Sequence, residues 1–221
     1  MNRYSRNKGL INQRNLDKID IIGAGGIGSC LIPSATIMGF KDLRIWDSDI
    51  LEEHNLSTSM YPEKYLDKSK TEAAKDIITQ YNSSTIVTIR DAWNEQELYS
   101  KTIVCVDNME TRMQVYEKWL TNSNRNFFID LRMGATGMNI VSVTKTNDRY
   151  KDLWYSSDSI PDDGCTTKHT IFTAEIVAGM GLNQVYNILE KRPYYEYISV
   201  SLTPLVVEKK HLVIKETNVR N

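Results

Sequence analysis

The chain has 221 residues, 41% hydrophobic and 25% charged, with 27 basic against 28 acidic side chains and a net charge of -1. That length can bury a sizeable core in one large domain or two small ones. The near-neutral balance leaves no basic excess of the kind that drives non-specific binding to nucleic acid or anionic membranes, and the apolar runs fall short of the roughly 20 residues that a spanning helix needs.

Residues 1–17 are polar and read as a short helix or arm, without the apolar core of a secretory leader. Residues 18–22 read as a buried strand entering a glycine cluster. Residues 27–38 have helical spacing, with Pro33 expected to kink or break the helix, because proline lacks an N–H and its ring crowds the preceding turn. A second strand over 43–46 is closed by Asp47-Ser48-Asp49, and a helix over 70–81 puts Ala73, Ala74, Ile77 and Ile78 on one face. Residues 85–89 and 102–106 read as the third and fourth strands, the fourth ending in Asp107-Asn108. A helix over 110–120 and a fifth strand over 126–130 follow. Beyond them, 139–144 and 200–207 read as strands and 170–189 as one long helix. Alternation of strand and helix over the first 130 residues predicts an α/β fold: a Rossmann-like mixed sheet, parallel in its N-terminal half, antiparallel in its C-terminal strands, with helices on both faces.

The strongest local signal is Gly23-Ala24-Gly25-Gly26-Ile27-Gly28, placed directly after the first strand and opening a helix. Glycines there let the backbone turn tightly and approach phosphate, and the helix N-terminus offers free N–H groups and partial positive charge. Asp47 closes the second strand at the place where an acid can bond a ribose hydroxyl, and both Asp47 and Asp107 fall on the edge where open α/β sheets take ligands. By itself this pattern fits a dinucleotide site for NAD or FAD, or a tight turn without ligand. Three scattered cysteines, Cys30, Cys105 and Cys165, form no Cys-x-x-Cys pair, which argues against a disulfide framework or a four-cysteine zinc site and for a reducing, cytoplasmic setting.

Arg3-Tyr4-Ser5-Arg6, the glycine cluster with Ser29, Asp47-Ser48-Asp49, Asn55-Leu56, Lys70 and Asp107-Asn108 follow one another in an order and near a spacing that resembles the ThiF/MoeB/ubiquitin-activating-enzyme superfamily of adenylating proteins, over residues 3–190. The resemblance is to its compact, zinc-less ThiF-like members. It implies a single adenylation domain, with an arm over 1–17, a nucleotide-binding half over 18–135 and a substrate and dimer half over 136–221. It implies ATP rather than NAD. The C-terminal carboxylate of a small ubiquitin-like or sulfur-carrier protein or peptide, ending in glycine, attacks the α-phosphate to give an acyl-adenylate and pyrophosphate. By the same resemblance Gly23, Gly25, Gly26, Gly28 and Ser29 border the nucleotide, Asp47 holds the ribose with Asp49 beside it, Asn55 and Lys70 face the phosphates, and Asp107, next to Asn108, holds magnesium directly or through water. Arg6 is either a finger reaching into the partner's site across a homodimer or a solvated arm. Cys165 is either an acceptor of the acyl or persulfide group on a crossover loop or an inert loop cysteine.

The chain departs from that family at Asn55-Leu56-Ser57-Thr58-Ser59, where Asn-Leu-x-Arg-Gln is usual. The change removes a cation facing the phosphates, for which Lys64, Lys68 or Arg6 are candidate substitutes. Asn55 has a plainer role open to it as a turn cap. Arg112 is expected to pair with nearby acids, Asp130 and Arg132 to line the channel for the incoming C-terminus, and Cys30 and Cys105 to be small buried hydrophobes. His54 and His169 receive no role, and Tyr194, Tyr195 and Tyr197 read as core or interface. Two other functions stay in view: an NAD-binding oxidoreductase and a non-catalytic ATP-binding scaffold.

Overall fold

The computed structural model describes residues 2–156 and 169–214. Eight strands form one sheet in the order β3-β2-β1-β4-β5-β6-β7-β8: β1 (Lys18–Ile22), β2 (Asp42–Trp46), β3 (Ile86–Arg90), β4 (Lys101–Val104), β5 (Phe127–Met133), β6 (Gly137–Thr144), β7 (Tyr194–Leu202) and β8 (Leu205–Val213). The first five are parallel and the last three join antiparallel. Among the described residues four α-helices accompany them: α1 (Gly26–Met38), α2 (Lys70–Tyr81), α3 (Met109–Thr121) and α4 (Ile171–Leu189).

Strand order reverses between β1 and β4. The chain leaves β1 through α1 towards β2, and leaves β4 through α3 towards β5. Right-handed crossovers in opposite directions put α1 and α3 on opposite faces and open a crevice at the carboxyl ends of β1 and β4. Two cores follow. The larger gathers Ile19, Ile21, Leu43, Ile45 and Ile129 with α1, α2 and α4, and the smaller packs Trp119, Tyr116 and Val115 of α3 on Phe128, Val104 and Val143. β4 is buried along its whole length, the mark of a central parallel strand. Among the described residues no helix is long and apolar enough to cross a membrane.

Two sequence expectations need correction. Helix α1 runs through Pro33 without a break, because Leu31, Ile32 and Ala35 around it are fully buried and offset the roughly 3 kcal/mol that an interior proline costs. The strand expected over 200–207 is a hairpin: β7 ends at Leu202, the chain turns at Thr203-Pro204, and β8 returns beside it. Proline locks φ and donates no N–H, so it ends a ladder more readily than it extends one.

The N-terminal arm packs at the opposite edge of the sheet from the glycine loop. Arg3 donates to the Tyr81 carbonyl at the end of α2 (2.6 Å), and Asn15 donates to Leu189 at the end of α4 (3.3 Å). Arg6 is exposed on a single 3-10 turn, Ser5–Asn7.

Candidate active site

The loop after β1 is shaped by contacts that only glycine permits at three of its four glycines. Gly23 has φ 103°, and a Cβ there would lie 2.9 Å from the Cys105 carbonyl. On Gly28 a Cβ would collide with the Gly23 carbonyl, and on Gly26 it would sit 2.9 Å from the Thr58 carbonyl and 2.8 Å from Met133 Cε. Gly25 differs: a Cβ on it meets nothing within 4 Å, although it is the N-cap of the 13-residue α1. No side chain caps α1 there and the space beside Gly25 is open, the arrangement in which a helix end takes an anion.

Neighbouring groups hold this loop. Tyr61, almost wholly buried, donates its hydroxyl to the Ala24 carbonyl (2.8 Å), and Cys105 Sγ donates to the Gly23 carbonyl (3.1 Å). The Asp47 carboxylate accepts from the Ala24 amide (2.6 Å) and from the Asp49 amide (2.9 Å). Burial pushes the Asp47 carboxyl above its ordinary range, and those two amides only partly counter it. Asp49 then accepts from Lys70 Nζ (2.7 Å), whose side chain is 10% exposed against 65% for Asp49. A chain of contacts thus runs from loop amide through two acids to a buried ammonium. Asp49 and Lys70 line a crevice of about 430 Å³ with Ser48, Ile50, Glu52, His54 and Asn55.

The structure uses several of the sequence candidates differently from one another. Ser29 is buried, donating to the Gly26 carbonyl (2.7 Å) and accepting from the Met60 amide (2.9 Å), so its hydroxyl serves the helix start. Asn55 closes a small capping box, its Oδ1 accepting from the Glu52 amide (3.1 Å). Asn108 caps α3 by accepting from the Thr111 amide (2.7 Å). Asp107 is exposed beyond the end of β4, on the other side of the switch point from the glycine loop, where its charge counteracts the lowering that burial imposes on His169. Thr58 donates to the Asn55 carbonyl (3.4 Å), and Ser59 is buried with a hydroxyl that has no protein partner among the described residues. Cys165 lies outside the described residues.

Asp130 and Arg132 form a buried network instead of a channel wall. Asp130 accepts from Arg112 and Arg132 (Nε, 2.7 Å) and from the Tyr150 hydroxyl (2.8 Å), and all four side chains are buried. Burial by itself would raise Asp130, but the two guanidiniums overcome it and hold the carboxyl below its usual range. Arg112 further donates to the Leu131 carbonyl (2.9 Å) and to the Val106 carbonyl, and Arg132 to the Leu153 carbonyl (3.0 Å). This network ties β5 to the end of β4 and to the segment after β6. The sequence pattern gave no sign of Tyr61, Cys105, Met133 or Tyr150 in these supports, since each acts through contacts distant along the chain.

The topology and the loop define a Rossmann-like α/β protein whose ligand edge lies at a switch point. The chain belongs to the ThiF family, whose model matches residues 5–216. It is 32% identical over 113 residues to the NEDD8-activating enzyme E1 catalytic subunit of Schizosaccharomyces pombe, covering 48% of this chain and 24% of that protein. It is 32% identical over 128 residues to the adenylyltransferase and sulfurtransferase MOCS3-1 of Zea mays, covering 51% and 27%. The chain therefore matches about a quarter of the length of these curated relatives. Its fold is similar to that of Escherichia coli MccB in a structure with MccA-N7isoASN, with TM-score 0.78, 19% identity, and coverage of 99% of this chain and 74% of that one.

Proposed function

We propose that this chain uses ATP to adenylate the C-terminal carboxylate of a small ubiquitin-like protein or peptide, releasing pyrophosphate. The observation that carries this reading is Gly25: the one loop glycine with open space where a Cβ would stand, at the uncapped start of α1. Phosphate approaching there meets backbone amides and the positive end of the helix. The names of the relatives support it, being activating enzymes and an adenylyltransferase.

The reaction brings two anions together. A carboxylate oxygen attacks the α-phosphorus, the bond from that phosphorus to the bridging oxygen breaks, and pyrophosphate leaves with the electron pair. Catalysis then rests on positioning and on fixed positive charge. Lys70 supplies a charge already dehydrated and oriented by Asp49. Asp47 keeps the Ala24 amide turned inward and has the second role of meeting the ribose. Among the described residues no three His, Cys, Asp or Glu side chains gather into a metal cage. Nucleotide-bound magnesium needs only one or two carboxylates besides phosphate and water, so the exposed Asp107 suits that role, where the metal would neutralise phosphate charge. Arg6 sits at the far edge of its own sheet, so any contact it makes with triphosphate comes from a second subunit of a homodimer. Cys165 is a candidate acceptor of the activated acyl group.

Calorimetry with ATP and with NAD, followed by ATP–pyrophosphate exchange with small proteins ending in glycine, tests the proposal. It expects ATP binding and substrate-dependent exchange; preferential NAD binding would overturn it. A second reading draws on Thr58 and Ser59, which leave that turn without a cation: a scaffold that binds ATP and shows no exchange with any carboxylate partner.

A further inference from the structure

Strand β8 ends the sheet, and among the described residues nothing pairs with its outer edge. Exposed sheet edges are normally blunted, because their free N–H and C=O groups template association. This one is long and apolar at both ends: Leu205 is 71% exposed, Leu212 49%, and Val206 and Val207 nearly half exposed. Between those ends lie Glu208, Lys209 and Lys210, all exposed and without an ion-pair partner in their own chain among the described residues.

The register with β7 sorts these side chains by face. Val206, Glu208 and Lys210 pair with Ser201, Ser199 and Tyr197, so they share the face that carries Tyr197 and the smaller core. A strand edge that pairs antiparallel with its own copy does so about a two-fold axis perpendicular to the sheet. Such an axis keeps each face on its own side and must pass through a residue opposed to itself. Centred on Lys209, it places Glu208 opposite Lys210 twice. Centred one residue earlier it sets Glu208 against Glu208, and one residue later Lys210 against Lys210. Opposite charges directly across strands stabilise and like charges destabilise, so the sequence selects one register out of three. Lys209 meets its own copy on the other face, where its ammonium lies over the Tyr195 ring of β7, 5.1 Å from the centroid, turned back from the edge. His211, with φ 56°, bends β8 just past this charged centre.

We propose that β8 is a homotypic docking edge, joining two copies of this chain antiparallel about Lys209 into a continuous sheet. The occupant is a second copy because Glu208 and Lys210, two residues apart on one face, are complementary to their own reverse. This contact is separate from any that would carry Arg6 to a neighbouring site.

Sedimentation equilibrium of the full chain tests it with two variants. The wild type should show an association step that Glu208→Lys weakens about tenfold or more, since two attractive oppositions become repulsive. Glu208→Lys combined with Lys210→Glu should restore it, because the swapped row is again complementary. In a Cys165→Ser chain, Lys209→Cys should form a disulfide-linked dimer on mild oxidation, directly opposed residues lying about 4.5–5.5 Å apart at Cα, whereas Glu208→Cys should not. Three chains that sediment alike, a double variant no better than Glu208→Lys, or no linkage at position 209 would each overturn the proposal.

Discussion

Replacing Gly25 by alanine separates the nucleotide site from the fold. The added methyl meets no protein atom within 4 Å, although Gly25, at φ -75° and ψ -146°, lies just outside the extended region that L-residues favour. Backbone strain alone should therefore cost about 1 kcal/mol, or a Tm loss of about 2–4 °C for a domain of this size. The same methyl stands where phosphate must approach the α1 amides. In the wild type, ATP at 100 times its Kd contributes about 2.7 kcal/mol of stability, or roughly 5–11 °C in Tm. Gly25→Ala should abolish most of that rise. Gly28→Ala is the counterpart: its methyl collides with the Gly23 carbonyl, and overpacking of that kind costs about 1–3 kcal/mol or more, or a Tm loss from about 2 °C upward before any ligand is added. Scanning calorimetry of the three chains with and without ATP reads both effects. A Gly25→Ala chain with the full ATP-induced rise would refute the placement of phosphate at this loop.

Lys70→Met keeps the buried stem and removes the charge. Because Asp49 stays largely solvated, the fold should barely change while pyrophosphate exchange falls about 10²–10³-fold, measured at saturating ATP. Asp130→Asn leaves Arg112 and Arg132 buried without their carboxylate and should cost about 3–5 kcal/mol, seen in urea unfolding. Since the folded Asp130 titrates below its unfolded value of about 3.9, its contribution is complete above that pH and is lost as pH falls through the lower folded value. The stability difference between wild type and Asp130→Asn should thus hold down to about pH 4 and shrink only as pH falls further. Burial pushes the Cys30 thiol up to about 11 and the Cys105 thiol up to about 12, so iodoacetamide at pH 8 should leave both unlabelled in the native chain and label both in urea, as peptide mass spectrometry would show.

Local signals and long-range ones were unequally legible. The strand–glycine–helix unit over residues 18–38 reads from sequence because tight turning, helix initiation and burial all depend on neighbouring residues, and its one misleading feature, Pro33, is outweighed by packing that no neighbour predicts. The antiparallel second half was legible as a change of pattern, but the β7–β8 hairpin was not. Residues on both sides of Thr203-Pro204 are apolar and β-branched enough to look like one strand. At the site, Asp47 carries a signal of position, Lys70 stands out only through the family resemblance, and the structure brings both into one network with Asp49. Asp130 and Arg132 looked like channel residues because charged side chains at a strand end usually face solvent. Their burial depends on Arg112, 18 residues back, and Tyr150, 20 residues ahead, a convergence that spacing does not encode.

The most direct measurement is a crystal structure of the chain with a non-hydrolysable ATP analogue and magnesium. Placement of phosphate at the glycine loop requires triphosphate density against the amides of Gly25 and Gly26, with Lys70 within ion-pair distance of a phosphate oxygen. Density for the nucleotide elsewhere, or a loop that binds dinucleotide in preference, would contradict it.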